Sequence, residues 1–364
     1  MLLGMKKGAL SRVLVIETLL VGCISLAAGV VFGVLVSQGL AFLTAKLIEV
    51  GVSGYVFIFS ASAAIKSAVY FGLAFLFTMI LNTRNIVANK LIDLIYADRK
   101  AVNSRRLGAG GSAAMLLAGA AMLALAYLGA FRVGLMMLSA NPLSLVIVAL
   151  GIAGTFVFFA SLSAFLRNLI IKIPGVYFKG LNLFVLKQVS GSIRASYVSV
   201  GVICLTLFVA LTAVPSGMSI AGGIRVSFGP HENSTAAVIS YIAVYLGIVF
   251  MLSSASVLAV MQLSQTSDDR ERYALLLALG AGEKQINGAV FKQVFIFFAA
   301  PLCLAAVHSV VGVSIMNKLV SALTDKDTFL VSLISGAGIL LLYIIYFITT
   351  YANAKRMVNP AVKR

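Results

Sequence analysis

Charge is what this sequence has least of. Only 11% of its 364 residues are Asp, Glu, Lys or Arg and 61% are hydrophobic, against roughly a quarter charged and under half apolar in an ordinary soluble domain. That scarcity excludes a water-soluble globular chain. Tryptophan is absent, so an interfacial aromatic belt falls to tyrosines such as Tyr127, Tyr197, Tyr241 and Tyr351. The three cysteines, Cys23, Cys204 and Cys303, each sit in an apolar run. Neither paired disulfides nor a metal cluster with ligand spacing is expected there, and packing roles follow. No lysine follows a glycine, which excludes the phosphate-binding GxxxxGKS/T loop. GAGEK at 280–284 and GAGG at 108–111 lack the preceding strand and the Lys-Ser/Thr that such a loop needs.

What is present in quantity is apolar runs. A helix needs about 20 apolar residues to cross the hydrocarbon, and eight such runs recur, over 13–37, 62–82, 112–131, 143–166, 195–215, 236–262, 288–315 and 332–351. The first is longer than a signal-peptide core and has no small-residue cleavage pattern after it, so it reads as a span. The expected fold class is all-α, a polytopic membrane bundle of about eight transmembrane helices with amphipathic cytoplasmic helices.

A formal charge of +17 would suggest nucleic acid in a soluble protein, and the placement of the bases argues against that. With a cytoplasmic N-terminus, 22 of the 28 Lys and Arg fall on the inner side: before the first run, at 84–106, 167–194 and 270–292, and in the basic tail. The outer segments hold Lys46, Arg132, Arg225, Lys318 and Lys326, and Lys66 can snorkel from an outer helix end. This positive-inside pattern, with an even number of spans, puts both termini in the cytoplasm of a multi-pass cell-membrane protein. No nucleic-acid partner is expected.

Between the runs, residues 84–106 place Ile86, Leu91, Ile92, Leu94 and Ile95 at helical spacing among charges, an amphipathic helix for the inner surface. Asn141 before Pro142 is a helix start. Pro174 and Gly175 break the stretch that leads to the fifth run, and 216–235 reads as a short outer loop, too small for a folded domain. After the sixth run the helical signal continues through Asp268, Asp269, Arg270, Glu271 and Arg272 into the leucines that follow. Gly4 can be laid on Gly280, which puts Leu3 on Leu279, Leu10 on Ile286 and Glu17 on Gln293, each copy followed by a span. Duplicated bundles of this kind are common in transporters. The first copy has nothing before it, and the chain reads as starting after the span that should precede it.

Isolated polar residues carry two readings each. Glu17 is an intramembrane carboxylate, functional or simply hydrogen-bonded to Thr18 or a neighbouring helix near the cytoplasmic end. His308 is a proton-sensitive switch or a histidine bonded to a neighbouring helix. Gly29 and Gly33, with Gly22 two turns earlier, form a GxxxG surface. Pro301 marks a hinge or a packing kink. Neither paired carboxylates nor a Cys or Asp partner for His231 or His308 is apparent, and catalysis in this chain is not expected.

The runs SDDRERYALLLALGAGEKQINGAVFKQ, ASLSAFLRNLI, YFKGLNLFVLKQVSGSIR, NKLIDLI and MLLGMKK with VLVIETLL downstream resemble the FtsX-like permeases, in particular the bacitracin-efflux branch linked to antimicrobial-peptide resistance. That resemblance implies ten spans, four plus two plus four, with a large extracellular domain between the seventh and eighth. This chain would correspond to spans three to ten without that domain: an incomplete first half at 1–104, a linking pair at 105–193 and a second half at 194–364 containing a coupling helix at 264–285. It also implies a separate ABC ATPase, as a dimer, that binds the ATP, so that no cofactor belongs to this chain. Asp269, Arg270, Glu271, Arg272, Tyr273, Leu275, Leu276, Leu279 and Gly280 would then dock in a groove of the ATPase. Leu3 and Gly4 would be the truncated equivalent. The residue pattern alone equally suits a helix lying on the lipid surface. Three roles follow: a permease moving or releasing an amphiphile such as a peptide antibiotic or its lipid target, a non-transporting partner of a sensor histidine kinase, or an inactive gene remnant.

Overall fold

The computed structural model describes residues 7–47, 59–88, 109–134, 141–171, 175, 180–228, 233–324 and 328–362, and among them there is no strand. Among the described residues ten helices follow one another: α1 (Lys7–Leu47), α2 (Ala61–Ala88), α3 (Ala109–Val133), α4 (Pro142–Ile171), α5 (Asn182–Ala195), α6 (Tyr197–Phe228), α7 (Asn233–Asp268), α8 (Arg270–Ala278), α9 (Glu283–Thr324) and α10 (Phe329–Val362). All but α5 and α8 contain a stretch long and apolar enough to cross a membrane. Those eight match the expected runs in number and order, so the chain is an all-α, polytopic membrane bundle. The helix expected around Leu91, Ile92, Leu94 and Ile95, and Leu3 and Gly4, lie outside the described residues.

The chain forms two compact units, Met1–Arg105 and Arg106–Arg364. In the first, the ring of Phe75 on α2 fills the space beside Gly22 on α1, and Phe75 stacks on Phe71 at 5.6 Å. α2 therefore packs on Gly22 rather than on Gly29 and Gly33, beside which there is open space. Apolar side chains such as Ile24, Phe32, Tyr70 and Phe77 point outward all round these two helices, as lipid-facing surfaces do.

The second unit is built from antiparallel helix pairs. Asn141 caps α4 through its side chain, accepting from the Leu143 N–H at 3.3 Å, as its place before Pro142 predicts. α4 then packs against α3 with glycines at the contact: Gly119 sits against the Phe158 backbone and Gly154 against Leu123. Hydrocarbon gives no hydrophobic drive for helices to associate, so close approach at small residues supplies the attraction instead. α6 and α7 follow the same rule. Gly217 lies against Ala243 and Gly247 against Val214. α6 is the hub, packing on α4, α7, α9 and α10, and the core around it draws on Leu207, Ala210, Met251, Leu258, Val294 and Phe297.

The expectation of an outer loop over 216–235 is corrected here. α6 runs through Pro215 and on to Phe228. Proline removes a donor and frees the carbonyl four residues earlier, and in a membrane a neighbouring helix can satisfy that carbonyl. Ser309 on α9 does so, donating to the Leu211 carbonyl at 2.9 Å. Continuing the helix also buries Ser219 and Ala221. The packing roles expected for the cysteines hold for Cys204 alone, since Cys23 and Cys303 are exposed on their helices. Tyr127, expected in the interfacial belt, turns inward to His308.

An alanine Cβ at Gly247 would fall 2.2 Å from a methyl of Val214, whereas one at Gly222 would meet nothing within 4 Å. Gly247→Ala is therefore expected to destabilise the purified protein by about 1–3 kcal/mol through overpacking, and Gly222→Ala to leave its Tm in detergent nearly unchanged.

Candidate functional site

Helices α7 and α8 form one nearly continuous rod interrupted at a single residue, Asp269. Its N–H still donates to the Gln265 carbonyl and its carbonyl still accepts from the Tyr273 N–H, both at 3.0 Å. With 36 residues, α7 is roughly 54 Å long, well beyond a hydrocarbon core of about 30 Å. Its polar end, Gln262 to Asp268, leads straight into α8. The rod stops at Gly280, whose φ of +92° is the left-handed conformation that disfavours a side chain. There Gly280 N–H donates to Leu277 O and Ala281 N–H to Leu276 O, the two bonds of a Schellman motif. Leu276 and Ala281 both pack on the core, which fixes the turn. Gly282 then accepts the first bonds of α9. The LALGAG run is the end of one helix and the start of the next, folded back at Gly280.

The short helix α8 has two faces. Tyr273, with none of its surface exposed, and Asp269, 5% exposed, turn into the bundle. The Tyr273 hydroxyl donates to Gln293 Oε1 at 2.7 Å, and Gln293 Nε2 donates to Asp269 Oδ2 at 3.3 Å. Gln293 is itself buried on α9, so two hydrogen bonds join the rod to that helix. The ring of Phe184 on α5 meets Tyr273 edge-on at 5.2 Å, and Lys292 Nζ donates to Asn182 Oδ1 at 2.6 Å. The outer face carries Arg270, Glu271 and Arg272 with Leu275 and Leu279, 65% and 83% exposed.

Burial pushes the Asp269 carboxyl above its ordinary value of 3.8, against the Gln293 hydrogen bond and the Arg272 charge, with Asp268 pushing the same way as burial. Arg272 lies 3.2 Å from Asp269 Oδ1 with a 62% exposed side chain, so the pair is well screened by water. Burial, and then the charge of Asp269, raise the Tyr273 phenol above 10.0, so it stays a donor to Gln293.

The other expected residues are placed apart from this cluster. Glu17 is exposed on α1. His308 is held between helices: Thr155 Oγ1 donates to the Gly151 carbonyl at 2.8 Å, and His308 Nε2 lies 3.0 Å from the same oxygen. That assigns the Nε2 proton to the bond with Thr155 and leaves Nδ1 to accept from the Tyr127 hydroxyl. The reading of His308 as bonded to neighbouring helices agrees with this arrangement. Sequence reasoning did not single out Gln293 as a site residue. Its signal was an amide in an apolar helix, one repeat on from Glu17.

Residues 244–361 match the family model described as FtsX-like permease C-terminal. The match takes in the greater part of α7, all of α8 and α9, and α10 as far as residue 361. No curated protein matches the chain. That segment is similar to the C-terminal part of FtsX-like permeases, and the rest of the chain lies outside the match.

Two expectations test this geometry. Because the folded pKa of Asp269 is raised, its stabilising contribution is full below the ordinary carboxylate value of 3.8 and is lost as pH rises through the folded value. Asp269→Asn should therefore remove part of the fall in Tm as pH rises above about 4, seen as the difference between the two proteins in detergent. His308→Ala should destabilise by about 1–3 kcal/mol, having stranded the Tyr127 hydroxyl, while Glu17→Gln leaves the Tm within error.

Proposed function

We propose that this chain is the permease subunit of an ABC transporter in the cell membrane, with both termini cytoplasmic, and that α8 is where a separate ATPase dimer engages it. ATP is bound and hydrolysed by that partner. The observation that carries the reading is the split among the leucines of this segment: Leu276 and Leu277 pack inward with Tyr273 and Asp269, and Leu275 and Leu279 stand out, rimmed by Glu271 and Arg272. Two leucines projecting from a rigid nine-residue helix are anchors of the kind that fill a partner's groove, where a few apolar residues carry most of the binding energy. The polar end of α7 favours this over insertion of α8 among lipid tails. ATP-driven closure of the dimer would push on α8, and Tyr273 and Gln293 would pass the motion to α9. The substrate that suits a bundle of this kind is an amphiphile, such as a peptide antibiotic or its lipid target.

The test is co-purification of an ABC ATPase with the detergent-solubilised chain. Leu275→Asp with Leu279→Asp should weaken retention at least about tenfold, equivalent to 1.4 kcal/mol or more, without lowering the permease Tm. If the double variant retains the ATPase as the parent does, α8 is not the docking element. If the parent retains none, the permease assignment itself fails.

A further inference from the structure

At the end of the second unit away from α8, polar side chains gather along one line. Thr212, Ser216 and Ser219 recur on α6 at the four- and three-residue steps that define one helical face. α9 runs parallel to that face. Ser309 Oγ donates to the Leu211 carbonyl at 2.9 Å, Gly312 lies against the methyl of Thr212 and the ring of Phe208, and Asn317 Oδ1 accepts from Ser219 at 2.9 Å. α10 closes the third side with Thr328, Ser332 and Gly336, again at helical spacing. Ser332 donates to Asn317 Oδ1 at 2.9 Å; with the Ser219 proton already on that oxygen, Thr328 donates to Ser219 and lies 3.3 Å from Asn317 Oδ1, and Gly336 faces the ring of Pro215.

Two hydroxyls in this line have no hydrogen-bond partner among the protein atoms, Thr212 Oγ1 and Ser216 Oγ. Ser216 is 8% exposed. A buried hydroxyl left unbonded costs about 1–3 kcal/mol, and polar groups inside a membrane protein ordinarily face one another or a water-filled space. The opposite side of α6 is built differently. Gly217 and Gly247 are pressed onto Ala243 and Val214, a close apolar contact whose separation would forfeit its dispersion energy. Parting the hydroxyl line exchanges internal hydrogen bonds for bonds to water, a much smaller change. Pro215 breaks the backbone ladder of α6 within this stretch, and a ladder with a missing rung is where a helix bends.

We propose that the seam between α6, α9 and α10 is a hydrated parting line, opening to water at the end of the bundle opposite α8 while the α6–α7 contact stays shut. The lining is hydroxyls and one amide, so the groups it would take from an entering molecule are themselves uncharged hydrogen-bonding groups, hydroxyls or amides. The proposal rests on the membrane orientation given above and not on the ATPase.

The experiment is cysteine labelling of the full chain in proteoliposomes, with Cys23, Cys204 and Cys303 replaced by Ala. A membrane-impermeant methanethiosulfonate is applied from each side in turn. Thr212→Cys and Ser216→Cys are expected to react from the side opposite α8 at least about tenfold faster than Ala210→Cys and Ala243→Cys, as a water-filled space requires. Equal rates in the two sets would overturn the seam. Reaction only from the α8 side would overturn the opening at that end, and with it the parting line proposed. Because Ser219 and Thr328 are bonded across the seam, a Ser219→Cys, Thr328→Cys pair closed by an oxidant should abolish labelling at 216 and a reductant should restore it. Labelling at 216 that persists through the lock would also overturn the proposal.

Discussion

Hydrocarbon offers no water to a stranded donor or acceptor, and the second unit is arranged around that constraint. A proline in a soluble helix can leave its freed carbonyl to solvent. Pro215 cannot, and the Leu211 carbonyl takes the Ser309 hydroxyl from α9 instead. Pro301 removes a donor from α9, and close to it the Tyr343 hydroxyl of α10 donates to the Phe298 carbonyl at 2.8 Å. In both places the donor comes from another helix. Each proline-bearing helix is thus tied to a neighbour by a side-chain bond at or near its proline. His308 extends the same logic to the central pair, because its two ring nitrogens are bonded to α3 and α4.

This constraint explains what was legible in the sequence and what was not. Spans were legible because about 20 uncharged apolar residues have few other places to go, and Asn141 before Pro142 announced its helix because capping is local. The stretch 216–235 misled, since Pro215, Gly222 and Gly223 are breakers in water, and Pro215 becomes tolerable once Ser309 answers the carbonyl it frees. The partner of Pro215 lies nearly a hundred residues on, a distance across which local pattern carries no information. The same holds for Tyr127 and Thr155 around His308.

The candidate site was legible in position and not in orientation. A charged stretch ending in leucines and a glycine marked α8, and the positive φ of Gly280 shows why glycine stands there. Sequence pattern put Asp269 and Tyr273 on the same docking surface as Leu275, Leu276 and Leu279. The structure buries Asp269 and Tyr273 and exposes Leu275 and Leu279. The reason is Gln293: an amide at that point of α9 gives the carboxylate and the phenol partners inside the bundle, which is where their hydrogen bonds are strongest. With those two side chains fixed inward, helical geometry leaves Leu275 and Leu279 no inward position.

The two ends of the unit differ in a way that bears on how motion would pass between them. At α8 the two bonds to Gln293 are buried, so a displacement of the rod would carry α9 with it through Gln293 instead of being absorbed locally. α9 is 42 residues long, roughly 63 Å of helix, and its far half carries Ser309, Gly312 and Asn317 along α6. Moved at its α8 end, α9 would yield beyond Pro301 where its contacts are weakest. Toward α6 those contacts are hydroxyls that water can replace, whereas the α6–α7 pair is locked by glycines under Ala243 and Val214. A push on α8 would therefore be expressed as separation along the polar line and not as sliding of α6 on α7, which ties the exposed leucines at one end to the stranded hydroxyls of Thr212 and Ser216 at the other.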